Sequence, residues 1–329
     1  MKLIEIIVIR FHTLLCYSIV MGFIKLPLSI AVASMAHGDS KFNDSHRTFG
    51  HINNKKDLNY CSDGEKEHCL DILTNPNKSN RITLFYIHGG AYVYGYKEDS
   101  RIFTSWFVDK GFTVIPINYR LARRDGSISI MDQVKDAVEA LKFVVENAVH
   151  YGVSLKNLFL MGDSAGGHIC LMLEILSKSE EARKYYQLED FPKVEIKGVA
   201  LNSPMYDYML VRAAAKEVLS KRSRRWMLSK QYLDDEFINK NNPRYYFKNG
   251  FKPSPLFAST SYYDYFNNQL QRLKKDCDEL GINIDYLFEA SPDKSIGHIY
   301  NHFHFEDEEG KRCNNMMVDF FIRNSKVDK

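Results

Sequence analysis

A serine held between glycines is the first group in this sequence that could do chemistry. Gly162-Asp163-Ser164-Ala165-Gly166, followed by Gly167, fits the pattern G-x-S-x-G. It follows the apolar run 158–161 (LFLM) and opens a helical stretch. A strand that turns abruptly into a helix strains the residue at the turn and crowds its neighbours. The positions two residues to either side, Gly162 and Gly166, must therefore lack side chains. The hydroxyl is then lifted clear of the chain, above a helix N-terminus that favours developing negative charge. Those are the requirements of a nucleophile for acyl transfer.

A second pattern supplies what such a nucleophile needs. His88-Gly89-Gly90-Ala91-Tyr92 closes the apolar run 82–87 (ITLFYI). Glycines past a strand end leave backbone N–H groups free to face a substrate oxygen. Gly89 and Gly90, with the N–H of Ala165, are therefore read as an oxyanion hole. Preorganised donors of this kind are worth about 2.7–4 kcal/mol each. His88 reads as a brace for the loop and not as a proton carrier. Tyr92 and Tyr94 suggest a modest apolar acyl pocket.

These groups need a scaffold that alternates strands with helices. Short β-branched or aromatic runs at 69–74, 82–87, 112–117, 158–161, 196–201, 256–259 and 284–288 predict strands. Between them, 131–150 shows apolar residues at helical spacing (Val134, Ala137, Val138, Leu141, Val144, Val145), and 165–177, 268–280 and 314–323 read as further helices. Gly281 stops the third of these. The alternation calls for a mostly parallel sheet with helices on both faces. Residues 205–254 contain no obvious strand and read as a helical cap over the carboxyl ends of the strands, where open α/β sheets bind ligands. The domain reading is an N-terminal region over 1–50 and a main domain over 51–329. Residues 37–66 are polar and read as loop or linker.

The first 36 residues are apolar but interrupted by Glu5, Arg10, His12 and Lys25. A spanning helix needs about 20 uninterrupted apolar residues, and Pro27 would break one. Two short amphipathic helices are expected, lying over the pocket or on a membrane surface. The corresponding location is cytoplasmic, with peripheral membrane contact through 1–36; an anchor or an atypical signal for export is the alternative.

Composition narrows the remaining choices. The chain has 329 residues, 45% of them hydrophobic, 26% charged and 13% aromatic, with net charge +3. This suits a globular protein with a substantial core and gives no basis for nucleic-acid binding. The one dense basic run, 221–225 (KRSRR), reads as a solvated helix face. Six scattered cysteines without a C-x-x-C pair argue against a zinc site. They read as free thiols, although Cys61 and Cys69 could bridge in an exported protein.

The two glycine motifs together resemble the hormone-sensitive-lipase-like branch of the α/β-hydrolases, the fold-3 esterases. The resemblance covers roughly residues 66–325. It implies the α/β-hydrolase fold, a helical cap, and a serine nucleophile whose acid and base follow it in the order Ser, Asp, His. The acid implied is Asp264, counted back from Glu279-Leu280-Gly281. It is followed here by Tyr265 and Phe266 where the family has Pro-Leu, and the usual preceding glycine is absent. Asp207 and Asp293 are the alternatives. The base implied is His298, preceded by Gly297, with His302 and His304 as competitors.

The implied reaction is hydrolysis of short to medium acyl esters through an acyl-enzyme, with a small-molecule ester as partner and with neither metal nor organic cofactor required. The HGG-x-aromatic loop also resembles arylformamidase, with Tyr92 where that enzyme typically has Trp. A third possibility is a binding protein on the same fold that has lost its activity.

Overall fold

The computed structural model describes residues 28–292 and 294–325. The strands are β1 (Asn53–Asn59), β2 (Cys69–Thr74), β3 (Thr83–Ile87), β4 (Thr113–Ile117), β5 (Leu158–Asp163), β6 (Ile196–Asn202), β7 (Leu256–Ser261) and β8 (Ile284–Glu289). They form one eight-stranded sheet in the order β1-β2-β4-β3-β5-β6-β7-β8. β2 runs antiparallel to both neighbours, and every pair from β4 through β8 is parallel.

The helices are α1 (Leu28–Ser45), α2 (Arg101–Asp109), α3 (Ile130–Tyr151), α4 (Ala165–Lys178), α5 (Glu180–Tyr186), α6 (Tyr208–Val218), α7 (Lys221–Leu228), α8 (Asp235–Lys240), α9 (Pro243–Lys248), α10 (Asn267–Leu280), α11 (Tyr300–Phe303) and α12 (Glu308–Asn324). The fold is that of the α/β-hydrolases.

The pleat sends alternate residues of each strand into two cores. Phe85 and Ile87 of β3 join Val134 and Leu141 of α3 and Ile169 of α4 on one face. Leu84 and Tyr86 join Phe103 and Phe107 of α2 and Phe320 and Phe321 of α12 on the other. All five residues of β3 are buried, as are all of β5, β6 and β7. This is why β3 and β5 read as continuous apolar runs. Each large side chain buried this way stabilises the fold by about 1.5–3 kcal/mol. The crossover helix α3 begins with a capping box between Ser129 and Asp132 and ends at Gly152 in the left-handed conformation.

Three elements depart from the sequence expectations. Part of the stretch expected to be loop over 37–66 is strand β1, with the sequence NNKKDLN. It is an exposed edge strand carrying lysines, and a bulge lies between Lys55 and Leu58. Polar residues on both faces leave no alternation to read. The same stretch is helical as far as Ser45, because α1 is pinned by tertiary contacts that override its weak propensity. Asn43 Nδ2 donates to Asp99 O at 2.9 Å, and the Phe42 ring meets Phe303 and Phe305 edge-on. Helix α2 was not anticipated. Seven of its nine residues, Ile102 to Val108, are buried, so it shows no polar face.

Of the two amphipathic helices expected over 1–36, only the stretch from Leu28 falls among the described residues. No helix among those residues is long and apolar enough to cross a membrane. Cys61 and Cys69 are free thiols and not a bridge, and Cys170, Cys277 and Cys313 are also free. Cys16 lies outside the described residues.

Candidate active site

Ser164 sits at the carboxyl end of β5, at φ 52° and ψ −116°. Such a backbone costs about 1–3 kcal/mol and must be held by its surroundings. Here the Ser164 N–H donates to Asn202 O at the end of β6, at 2.8 Å. The turn leaves no room on either side. A Cβ on Gly166 would lie 2.1 Å from Ile87 O, and one on Gly162 would lie 2.7 Å from both Cys170 Sγ and Gly166 O.

The loop after β8 carries His298 over this turn. Ser164 Oγ and His298 Nε2 are 2.9 Å apart. The Nδ1 of the same ring donates to Asp264, at 2.9 Å from Oδ2 and 3.0 Å from Oδ1. Asp264 lies in the turn after β7 with its side chain fully buried, whereas the His298 side chain is 30% exposed and can exchange protons with solvent. Thr260 Oγ1 donates to Asp264 Oδ2 at 2.6 Å, and Phe266 N donates to Oδ1 at 2.8 Å.

Burial alone would raise the Asp264 pKa. The His298 charge, with the hydrogen bonds from His298, Thr260 and Phe266, outweighs it and holds the carboxyl below its ordinary value. Burial would likewise lower His298, but the Asp264 charge, its hydrogen bond and the more distant Asp163 lift the imidazole above its ordinary value.

The competing residues are occupied elsewhere. His302 stacks on Phe103 at 3.6 Å, and burial holds its pKa down to about 3. His304 pairs with Asp307 at 2.7 Å on the surface. Asp207 caps α6 through Met209 N and accepts from Asn242. Asp293 lies outside the described residues.

The glycine loop differs from its sequence reading at one residue. The N–H of Gly89, expected to serve the oxyanion hole, donates to Asp163 Oδ2 at 2.9 Å. Among the described residues, the N–H groups of Gly90, Ala91 and Ala165 have no acceptor. Gly89 is required for another reason: a Cβ there would lie 3.0 Å from Ser164 Cβ and closer still to Asp163. Gly90, at φ 109°, passes so near Tyr94 O that a Cβ would sit 1.9 Å from it. Ala91 adopts φ 51°.

Asp163 is the buried partner that the motif reading passed over, although it stands inside G-x-S-x-G. It also accepts a hydrogen bond from the Tyr86 hydroxyl. Burial pushes its pKa up to about 6, against the pull of the Tyr86 and Gly89 donors. His88 braces the loop. Its ring stacks on Tyr119 at 4.4 Å, and Nδ1 donates to Gly89 O at 2.8 Å.

Two helical segments pack against the glycine loop. Helix α1 places Leu28 among Val93, Ala122 and Trp226, and Asp39 accepts from Tyr94 Oη at 2.6 Å. Between β6 and β7 run α6 to α9. Asn241, which ends α8, accepts from His168 Nε2 at 2.8 Å, and His168 Nδ1 accepts from Tyr92 Oη at 2.8 Å. Tyr92 is therefore buried in this tether and does not line the acyl pocket expected of it. A cleft of about 60 Å³ does lie against Gly89 and Gly90, with Tyr94, Phe42, Phe103 and Phe303 in its wall together with Asp39 and Asp99.

The family model BD-FAE matches residues 70–264, more than half of the chain. The chain belongs to the BD-FAE family. The match takes in β2 to β7 and ends on Asp264, so His298 lies beyond the part of this BD-FAE chain that the model covers.

Similar proteins include an ethyl acetate hydrolase of Pseudomonas putida, 34% identical over 113 residues, which are 33% of this chain and 34% of that protein. A kynurenine formamidase of Danio rerio is 30% identical over 147 residues, 44% of each chain. The BD-FAE chain thus spans less than half the length of the curated relatives it matches. Among solved structures, esterase B from Lactobacillus rhamnosis superposes with TM-score 0.81 at 20% identity, covering 91% of this chain and 94% of its own. That likeness is one of fold.

Proposed function

We propose that this chain is a serine hydrolase of carboxylic esters. The observation that carries the reading is the unbroken relay from Ser164 Oγ to His298 to Asp264, with every link near 2.9 Å. In this reading His298 Nε2 takes the Ser164 proton as the oxygen attacks the ester carbonyl. Asp264 holds the ring in the tautomer with Nδ1 protonated and steadies its positive charge. The N–H groups of Gly90, Ala91 and Ala165 receive the oxyanion. His298 then protonates the leaving alcohol, and water clears the acyl-enzyme by the same route. The likeness to an ethyl acetate hydrolase supports a small ester as substrate. No metal or organic cofactor is needed for these steps.

The likeness to a kynurenine formamidase keeps an amide substrate as the second reading. A panel of p-nitrophenyl esters from acetyl to dodecanoyl, assayed beside N-formyl-kynurenine, separates the two. The expected outcome is activity that peaks at short to medium acyl chains and exceeds that on the formamide in kcat/KM. Preference for the formamide favours the second reading. Failure to hydrolyse either substrate, together with failure to react with a fluorophosphonate, leaves a binding protein on this fold.

A pH profile tests the role of His298. The imidazole must be neutral to accept a proton, and its pKa lies above the ordinary value. Activity is therefore present above that pKa and falls by about tenfold per pH unit below it. The acid limb of kcat/KM is expected to centre above about 6.5, the free-imidazole value; a limb centred lower counts against the assignment.

The finer location is also a proposal. The apolar N-terminal sequence before Leu28 supports peripheral contact between a cytoplasmic protein and a membrane surface. Removing residues 1–27 would then release the protein from vesicles while fluorophosphonate labelling persists.

A further inference from the structure

The connector between β1 and β2 holds a second group of reactive side chains. It turns through two left-handed residues, Ser62 at φ 55° and Gly64 at φ 75°. The turns bring Cys61, Asp63 and His68 together, with one ligand atom from each lying within 4.8 Å of the other two. We propose that these three residues bind a divalent transition-metal ion, with Zn²⁺ the best match. A thiolate, an imidazole and a carboxylate suit a borderline-soft ion and not Mg²⁺ or Ca²⁺. The sequence spacing is C-x-D followed five residues later by His, and it lacks the paired cysteines of the usual zinc motifs.

The geometry needs only a small adjustment. Zinc bonds of about 2.0–2.3 Å in a tetrahedron set neighbouring ligand atoms roughly 3.5 Å apart. Asp63 Oδ2 now lies 2.5 Å from His68 Nδ1. Asp63 and Cys61 are both at the surface, so either side chain can turn outward by about an ångström without disturbing the core. A water would fill the fourth position.

The second observation is on the far side of the imidazole. His68 is 7% exposed, and its Nε2 is buried without a hydrogen-bond partner among the described residues. That nitrogen lies 3.5 Å from Asp136 Oδ1 on α3. Asp136 is itself fixed by Arg120, whose Nε donates to both of its oxygens. Carboxylates thus stand at both ring nitrogens, Asp63 at Nδ1 and Asp136 at Nε2. An ion on Nδ1 moves the ring proton to Nε2 and aims it at Asp136. That is the ligand–imidazole–carboxylate layering usual around protein-bound metals. The ion would tie the β1–β2 connector to α3.

The test uses the full chain stripped with a chelator and titrated with Co²⁺. The expected result is a thiolate-to-cobalt charge-transfer band with tetrahedral d–d bands, saturating at one ion per chain and abolished by added Zn²⁺. Cys61→Ser removes the charge-transfer band, Cys69→Ser leaves it unchanged, and Asp136→Asn weakens affinity about 10- to 100-fold. Circular dichroism confirms that each variant is folded. The proposal is overturned if folded wild-type protein shows no charge-transfer band. It is equally overturned if the band survives Cys61→Ser or disappears with Cys69→Ser.

Discussion

Ser164→Ala lowers kcat for ester hydrolysis by about 10⁶, the loss expected when the attacking atom of a cooperating set is removed. Among the described residues, the serine that follows the adjoining strand is engaged elsewhere. Ser203 directly follows β6, and its Oγ accepts from Ile299 N at 3.1 Å and pairs with Thr260. Water could attack with help from His298, but without an acyl-enzyme it would have only the oxyanion donors and binding to assist it. The measurement is hydrolysis of a short p-nitrophenyl ester by purified variant and wild type, alongside fluorophosphonate labelling. Both signals should vanish while the circular dichroism spectrum is retained. A folded variant that keeps more than about a thousandth of the activity would remove Ser164 from the nucleophile's role.

The second large effect concerns Asp264. Asp264→Asn should lower kcat about 10⁴-fold, because an amide cannot both hold Nδ1–H and offset the imidazolium charge. Phe266 N can only donate and would keep the amide oxygen at the Oδ1 position, which places the NH₂ group at the Oδ2 position, facing His298 Nδ1 and Thr260 Oγ1, and disfavours the productive tautomer. The same change removes the principal influence raising the His298 pKa. The residual activity should therefore keep its acid limb, moved to lower pH. The two readouts together separate a charge effect from a local collapse, which would lower kcat and leave the limb in place. A loss smaller than a hundredfold with an unmoved limb would point to another acid.

Most of the framework could be read in the sequence because buried parallel strands are apolar throughout. β3 and β5 therefore stood out as apolar runs leading into glycine motifs, and α3 showed its stripe. Ser164 was legible because the strand–turn–helix leaves no freedom at Gly162 and Gly166. What escaped followed other rules. β1 has no buried face, and α2 has no exposed one, so neither carries a period. The N–H of Gly89 is claimed by the carboxylate of Asp163, a pairing across two strands that no local pattern encodes. Tyr92 sits beside the glycine loop in sequence, but its hydroxyl is drawn inward by His168. Asp264 lacks the flanking Pro-Leu of the resembling family. Its place depends on the turn after β7, where its backbone N–H donates to Ser261 O and its carboxylate gathers Thr260, Phe266 and His298.

One carboxylate has a wider effect than its hydrogen bonds suggest. Asp163 is covalently joined to the nucleophile and grips the loop that leads into Gly90 and Ala91. The separation between hydroxyl and amide hydrogens is thus fixed by a span of few bonds across the adjacent strands β3 and β5 at the centre of the sheet. Loosening of the outlying strands, or of the helices between β6 and β7, carries both halves of the centre together instead of pulling them apart. Warmth that frays the periphery would spare the alignment until the middle of the sheet itself gives way.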